Sequence, residues 1–160
     1  MTRNDNKVSA HSLYGTKALL LASGLIAAGI AAMILVAPNA FYQGYGIEIS
    51  ANVSLANELK APAGALLMAG ILMMVGAFKA GFTIPSLAIA AAVYLSYGLS
   101  RILSMAIDGA PHSGLVSAAA IEVVIGAVCF ADLMRHKKTD ISRRIAAQDS
   151  WQPGTDEGAA

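Results

Sequence analysis

The chain has 160 residues, of which 56% are hydrophobic and only 13% charged, and its mean hydropathy is +0.60. A soluble domain carries about 25% charged residues, so the deficit points to a membrane protein. The net charge of +1 comes with no clustered basic face, which leaves no nucleic-acid footprint. The single cysteine, Cys129, allows neither an internal disulfide nor a paired-cysteine redox or zinc motif, and its apolar surroundings mark it as a buried structural thiol.

Four apolar segments follow in chain order, at about 16–37, 56–78, 82–107 and 113–134. Each approaches or exceeds the roughly 20 residues that cross a ~30 Å hydrocarbon core as a helix. A helix satisfies its own backbone hydrogen bonds in lipid, so the expectation is an all-α, integral-membrane four-helix bundle. The first segment is too long for a signal-peptide core, which spans about 7–15 apolar residues, and further spans come after it. Residues 1–15 read as a polar leader to the bundle and 135–160 as a polar tail whose end, "QPGTDEGAA", has the composition of disorder.

Orientation follows from basic residues near span ends. Nine of the eleven Lys and Arg residues (Arg3, Lys7, Lys17, Lys79, Arg135, Lys137, Lys138, Arg143 and Arg144) fall on one side, and only Lys60 and Arg101 fall toward the other. Both termini are therefore expected to be cytoplasmic, in the inner membrane of a bacterium. The first connection holds Phe41, Tyr42 and Tyr45, which suit an interfacial belt, and a short surface helix is expected there.

The most informative stretch is "YLSYGLSRILSMAIDGAPHSG", Tyr94 to Gly114. On a helix, Tyr94, Tyr97, Arg101, Ser104 and Asp108 recur at spacings of three and four and share one face. A lone charge at the bilayer centre costs about 2.5–3.5 kcal/mol on insertion scales, so that face is expected to look into the bundle. Arg101 lies ten residues before Pro111 and Glu122 eleven after it, which matches their depths in an antiparallel hairpin and marks them as an interhelical pair. Ala118 and Gly126, one turn either side of Glu122, would let a neighbouring helix approach. In the second segment Glu58 and Lys60 add two more charges at the same end, above an expected small-residue seam of Ala61, Ala65 and Ala69. Glu58, Lys60, Arg101, Asp108 and Glu122, with Tyr97 and Ser104, thus form a candidate polar cluster, serving either as a clamp between helices or as a ligand site. His112 reads as an exposed turn residue, and Met68, Met73 and Met74 as packing. With no second histidine or cysteine at ligand spacing, no metal site is expected. No nucleophile–base arrangement or phosphate-cradling loop is legible, and no cofactor is implied.

The segments "GLIAAGIAAMILVAPNAFYQGYGI", "NELKAPAGALLMAGILMMVGAF" and "SRILSMAIDGAPHSGLVSAAAIEVVIGA" resemble domain of unknown function family 4345, small bacterial membrane proteins, from about Leu20 to Val128. The run R-x-x-S-x-x-x-D-G-x-P, followed by a glutamate in the next helix, is the most specific part. The family often has arginine where this chain has Lys60, so bidentate recognition at that position is not expected here. The family is distantly similar to DoxX-like proteins, which implies a four-helix bundle and no particular activity. The leading expectation is a non-enzymatic accessory or assembly subunit of a larger membrane complex. The alternative is a binding or transport module for a lipid, quinone or small anion, with the charge cluster as its site and Arg101 as the anion contact. The expected partners are the lipid bilayer, other membrane subunits, and lipid or quinone.

Overall fold

A computed structural model describes residues 3–49 and 52–149. Within them the chain forms five α-helices: α1 (Arg3–Val36), α2 (Pro38–Gln43), α3 (Val53–Phe78), α4 (Thr83–Asp108) and α5 (Ser113–Asp149), with a single 3₁₀ turn at Ala80–Phe82 between α3 and α4. Four of these helices are long and apolar enough to cross a membrane.

Local chemistry sets the breaks. Pro38 cannot continue α1 and instead opens α2, where its missing N–H costs nothing. Asn52 caps α3, its side-chain oxygen accepting from the Leu55 backbone N–H at 3.0 Å. Gly109, at φ 96°, terminates α4 in a conformation that side chains resist. Two helices run beyond the apolar segments: α1 begins well before Thr16, and α5 continues through polar residues to Asp149. Polar residues have adequate helix propensity, and an apolar helix already nucleated in the bundle extends through them at little cost. The segment "QPGTDEGAA" lies outside the described residues.

The long helices run up and down, with α1 packed along α3, α3 against α4, and α4 along α5; α1 and α5 meet sparsely. Glycine makes the closest approaches possible. A Cβ on Gly24 of α1 would sit 2.7 Å from the Gly70 carbonyl of α3, and one on Gly98 of α4 would sit 3.0 Å from the Val123 nitrogen of α5. In lipid, where burial of apolar surface does not drive association, such contact is what holds helices together. The buried residues of α3 are Ala63, Gly70, Met73, Gly76 and Ala77. The expected seam is displaced: Ala61 and Ala65 are exposed and only Ala69 packs inward. Spacing identified small residues correctly but could not say which of two small-residue faces turned inward.

Hydroxyls tie the helices further. Tyr94 on α4 donates to the Ser23 carbonyl on α1 at 2.6 Å. Ser86 donates to the Leu72 carbonyl at 2.7 Å across the α3–α4 turn. Leu20, Met73, Leu87 and Cys129 are fully buried, as expected for the thiol.

Candidate functional site

The Thr16, Ser23 and Ile30 positions recur every seven residues and so lie along one face of α1. Toward one end of the bundle that face is fastened to α5. The Thr16 hydroxyl donates to Asp132 at 2.6 Å and lies 3.2 Å from His136 Nε2, and Ser23 Oγ lies 3.9 Å from Cys129 Sγ. Toward the other end the same face lines a chamber of 480 Å³ that α5, α3 and α4 also wall. The volume falls within the roughly 300–1,000 Å³ of small-molecule sites.

Hydrocarbon makes most of the wall, including Ile30 and Ile34 of α1, Leu66 of α3 and Val93 of α4. Phe41, Tyr42 and Tyr45, from α2 and the turn after it, form a roof. Their rings meet edge to face, with centroids 5.2 Å apart for Phe41–Tyr42 and 5.5 Å for Phe41–Tyr45. Tyr45 also docks on the α4–α5 turn, its ring 6.2 Å from that of His112. Gly114 gives the ring room, because a Cβ there would lie 3.0 Å from it. The sequence marked these aromatics as interfacial; their assembly into a lid needed the turn chemistry of a distant hairpin.

Charged groups enter the chamber at one place among the described residues. Arg101 of α4 and Glu122 of α5 both line it. Arg101 Nε donates to Glu122 Oε2 at 3.0 Å and to Oε1 at 3.3 Å. Both oxygens accept from one N–H, as an ionised carboxylate does. Their side chains are 34% and 15% exposed, so the pair is half-buried. Among the described residues Arg101 makes no further hydrogen bond, which leaves its two terminal amino groups unengaged. Tyr97 and the roof tyrosines also line the chamber. Burial pushes the Tyr42 hydroxyl above its ordinary pKa, against the opposing pull of the Arg101 charge. Tyr42 therefore stays a hydrogen-bond donor at neutral pH.

The candidate cluster is brought together only in part. Arg101, Glu122 and Tyr97 share the chamber, whereas Ser104 and Asp108 stand exposed beyond it and bond each other at 2.9 Å. Glu58 and Lys60 are exposed on α3 and form no ion pair among the described residues, although Leu59 between them lines the chamber. Charges a turn apart on different helices can share a depth without sharing a face, and depth was all that spacing supplied. Glycine at 126 does admit a helix, since a Cβ there would lie 2.9 Å from the Leu95 nitrogen; Ala118 instead opens space for the chamber. Among the described residues no group of three His, Cys, Asp or Glu side chains converges as a metal site would require.

The fold and chamber define a class: a small multi-pass helical membrane protein with an apolar cavity bearing one ion pair. The chain belongs to the family described as Domain of unknown function (DUF4345), which matches residues 15–132. That match takes in α3 and α4 whole, most of α1, the first part of α5, the roof and every chamber-lining residue. No curated protein and no solved structure matches the chain.

Proposed function

We propose that the protein is a non-enzymatic binding module of the bacterial cytoplasmic membrane, with both termini cytoplasmic, that holds an amphiphilic small molecule in the roofed chamber. The single observation that carries this reading is the chamber itself: an apolar cavity with unengaged hydrogen-bond donors at one point of its wall. Such a combination orients an apolar body by a polar end. Access from the bilayer fits the same picture, because Ile26, Ile30 and Ile121 line the chamber yet are 41%, 37% and 55% exposed. An accessory-subunit role would use the exposed helix faces, but any membrane protein exposes such faces to lipid. The chamber therefore favours binding. Glu58, Lys60, Asp108 and Ser104 are proposed as solvent-facing polar groups outside the site.

The test is retention of a ligand. Protein extracted in mild detergent and examined by native mass spectrometry should carry a bound small molecule in defined stoichiometry. Ala118→Phe, which fills the chamber while leaving both Arg101 and Glu122 in the chain, should lose it while remaining monodisperse. A wild-type protein that carries nothing and binds no added amphiphile would reject the reading.

A further inference from the structure

The chamber's hydrogen-bonding inventory is one-sided. Arg101 brings two terminal amino groups that meet no described acceptor, and Tyr42, Tyr45 and Tyr97 bring hydroxyls that form no hydrogen bond to a described residue. Tyr94, also in the wall, is already engaged by the Ser23 carbonyl. No buried side-chain nitrogen or oxygen lacks a partner among the described residues, so these free donors are accessible ones. Acceptors are fewer. The strongest, the two Glu122 oxygens, already accept from Arg101 Nε, the tyrosine hydroxyls can accept as well as donate, and the rest of the wall is hydrocarbon. The guanidinium only donates, so a ligand that engages it must supply an acceptor.

Its charge is constrained as well. Among the described residues Arg101 and Glu122 are the only ionised side chains lining the chamber, and they cancel. A bare anion entering this space would lose its hydration and meet Arg101 already compensated by a carboxylate. Desolvation of a charge is recovered only against an uncompensated partner. A neutral carbonyl oxygen loses far less on entry and gains a charge-assisted hydrogen bond from the guanidinium.

Resting on the binding reading above, we propose that the chamber selects an uncharged amphiphile whose carbonyl oxygens accept from Arg101 and the roof tyrosines, the chemistry shared by quinones and neutral ester lipids. Fatty-acid and other free anions are rejected by Glu122. The glutamate is then a specificity element as well as a structural partner: it holds the guanidinium by its Nε edge, aims the terminal amino groups into the cavity, and sets the chamber's net charge to zero.

Three probes separate the alternatives, with the full-length protein in neutral detergent near neutral pH and calorimetry as the readout. They are decylbenzoquinone, monoolein and palmitate. At least one of the two neutral probes should bind about tenfold more tightly than palmitate, and whichever does identifies quinone or ester lipid as the source of the carbonyl. Glu122→Gln removes the compensating charge and should invert the preference, tightening palmitate by about tenfold or more. Ala118→Phe should abolish binding of every probe. Palmitate binding to the wild-type protein as tightly as the neutral probes would overturn the selectivity while leaving the chamber as a binding site. A wild-type protein that binds none of the three and retains no molecule of its own overturns the binding reading on which the selectivity rests. Should Glu122→Gln not yield folded protein, the wild-type ranking of the three probes decides alone.

Discussion

Arg101 and Glu122, twenty-one residues apart in the chain, are joined through the guanidinium Nε rather than through its terminal amino groups, with both carboxylate oxygens at 3.0 and 3.3 Å. The two helices can hold this geometry because Gly98 and Gly126, both within about a turn of the pair on the side away from the α4–α5 turn, bring α4 and α5 into backbone contact. The pair is half-buried, which places it between two regimes. Exposed pairs contribute about 0–1 kcal/mol, and breaking a buried one costs about 3–5 kcal/mol.

Arg101→Met and Glu122→Gln should each lower stability by about 2 kcal/mol, because each strands a charge in a poorly hydrated wall. The double variant should recover part of that loss, a positive coupling measurable as a double-mutant cycle in detergent. Strictly additive singles would mean that the two charges do not sense each other.

Glycine at the α4–α5 contact has a sharper requirement. Gly98→Ala places a Cβ 2.7 Å from Val123 Cγ2 and 3.0 Å from the Val123 nitrogen, and backbone cannot move aside as a side chain can. The expected cost is about 1–3 kcal/mol, the range for overpacking. Gly64→Ala, on a helix where a new Cβ meets nothing within 4 Å, should instead stabilise by up to about 1 kcal/mol through helix propensity. Thermal unfolding of the two variants side by side checks the contrast.

The same comparison shows how far the sequence reaches. Four spans, their up-and-down order and the depth match of Arg101 with Glu122 were legible because hydrophobic length and helical rise are one-dimensional quantities. The chamber was not. It depends on which face of α3 turns inward, and Ala61, Ala65 and Ala69 present as good a small-residue stripe as the Ala63, Gly70 and Ala77 face that is buried. The fastening of Thr16 to Asp132 and His136 was also missed, although its signal was present: three polar groups at the matching ends of the first and last spans. They read as the boundary of the hydrocarbon region, which is the commoner meaning of polar residues at a helix end. Nor could spacing bring the aromatics of the first connection to Gly114, some seventy residues later.

Orientation is the next expectation to check. Cysteines introduced singly at Glu48 and Ala110, both exposed at the roofed end, should react with an impermeant thiol reagent added outside intact cells. A cysteine at Ser142 should react only after permeabilisation. Asn52 is left intact because it caps α3. The native Cys129 is fully buried and supplies a silent background. The reverse labelling pattern would place the roof in the cytoplasm and defeat the positive-inside argument.

The polar end of α5 marks where the bundle stops needing its sequence. Among the described side chains His136 is the last that hydrogen-bonds to another helix, lying 3.2 Å from the Thr16 hydroxyl. Beyond it every described side chain, from Lys137 through Gln148, is exposed, including Ile141 and Ile145 at 56% each. A helix extension that buries nothing contributes little beyond its own marginal propensity. Truncation after Arg144 should therefore leave the unfolding midpoint in detergent within about 2 °C of the full chain. Thr16→Val, by contrast, removes the hydroxyl that joins α1 to Asp132 and leaves that carboxylate short of a donor. It should lower stability by about 1–3 kcal/mol. If truncation proves as costly as Thr16→Val, then Ile141 and Ile145 meet an apolar surface, and the end of α5 belongs to an interface rather than to solvent.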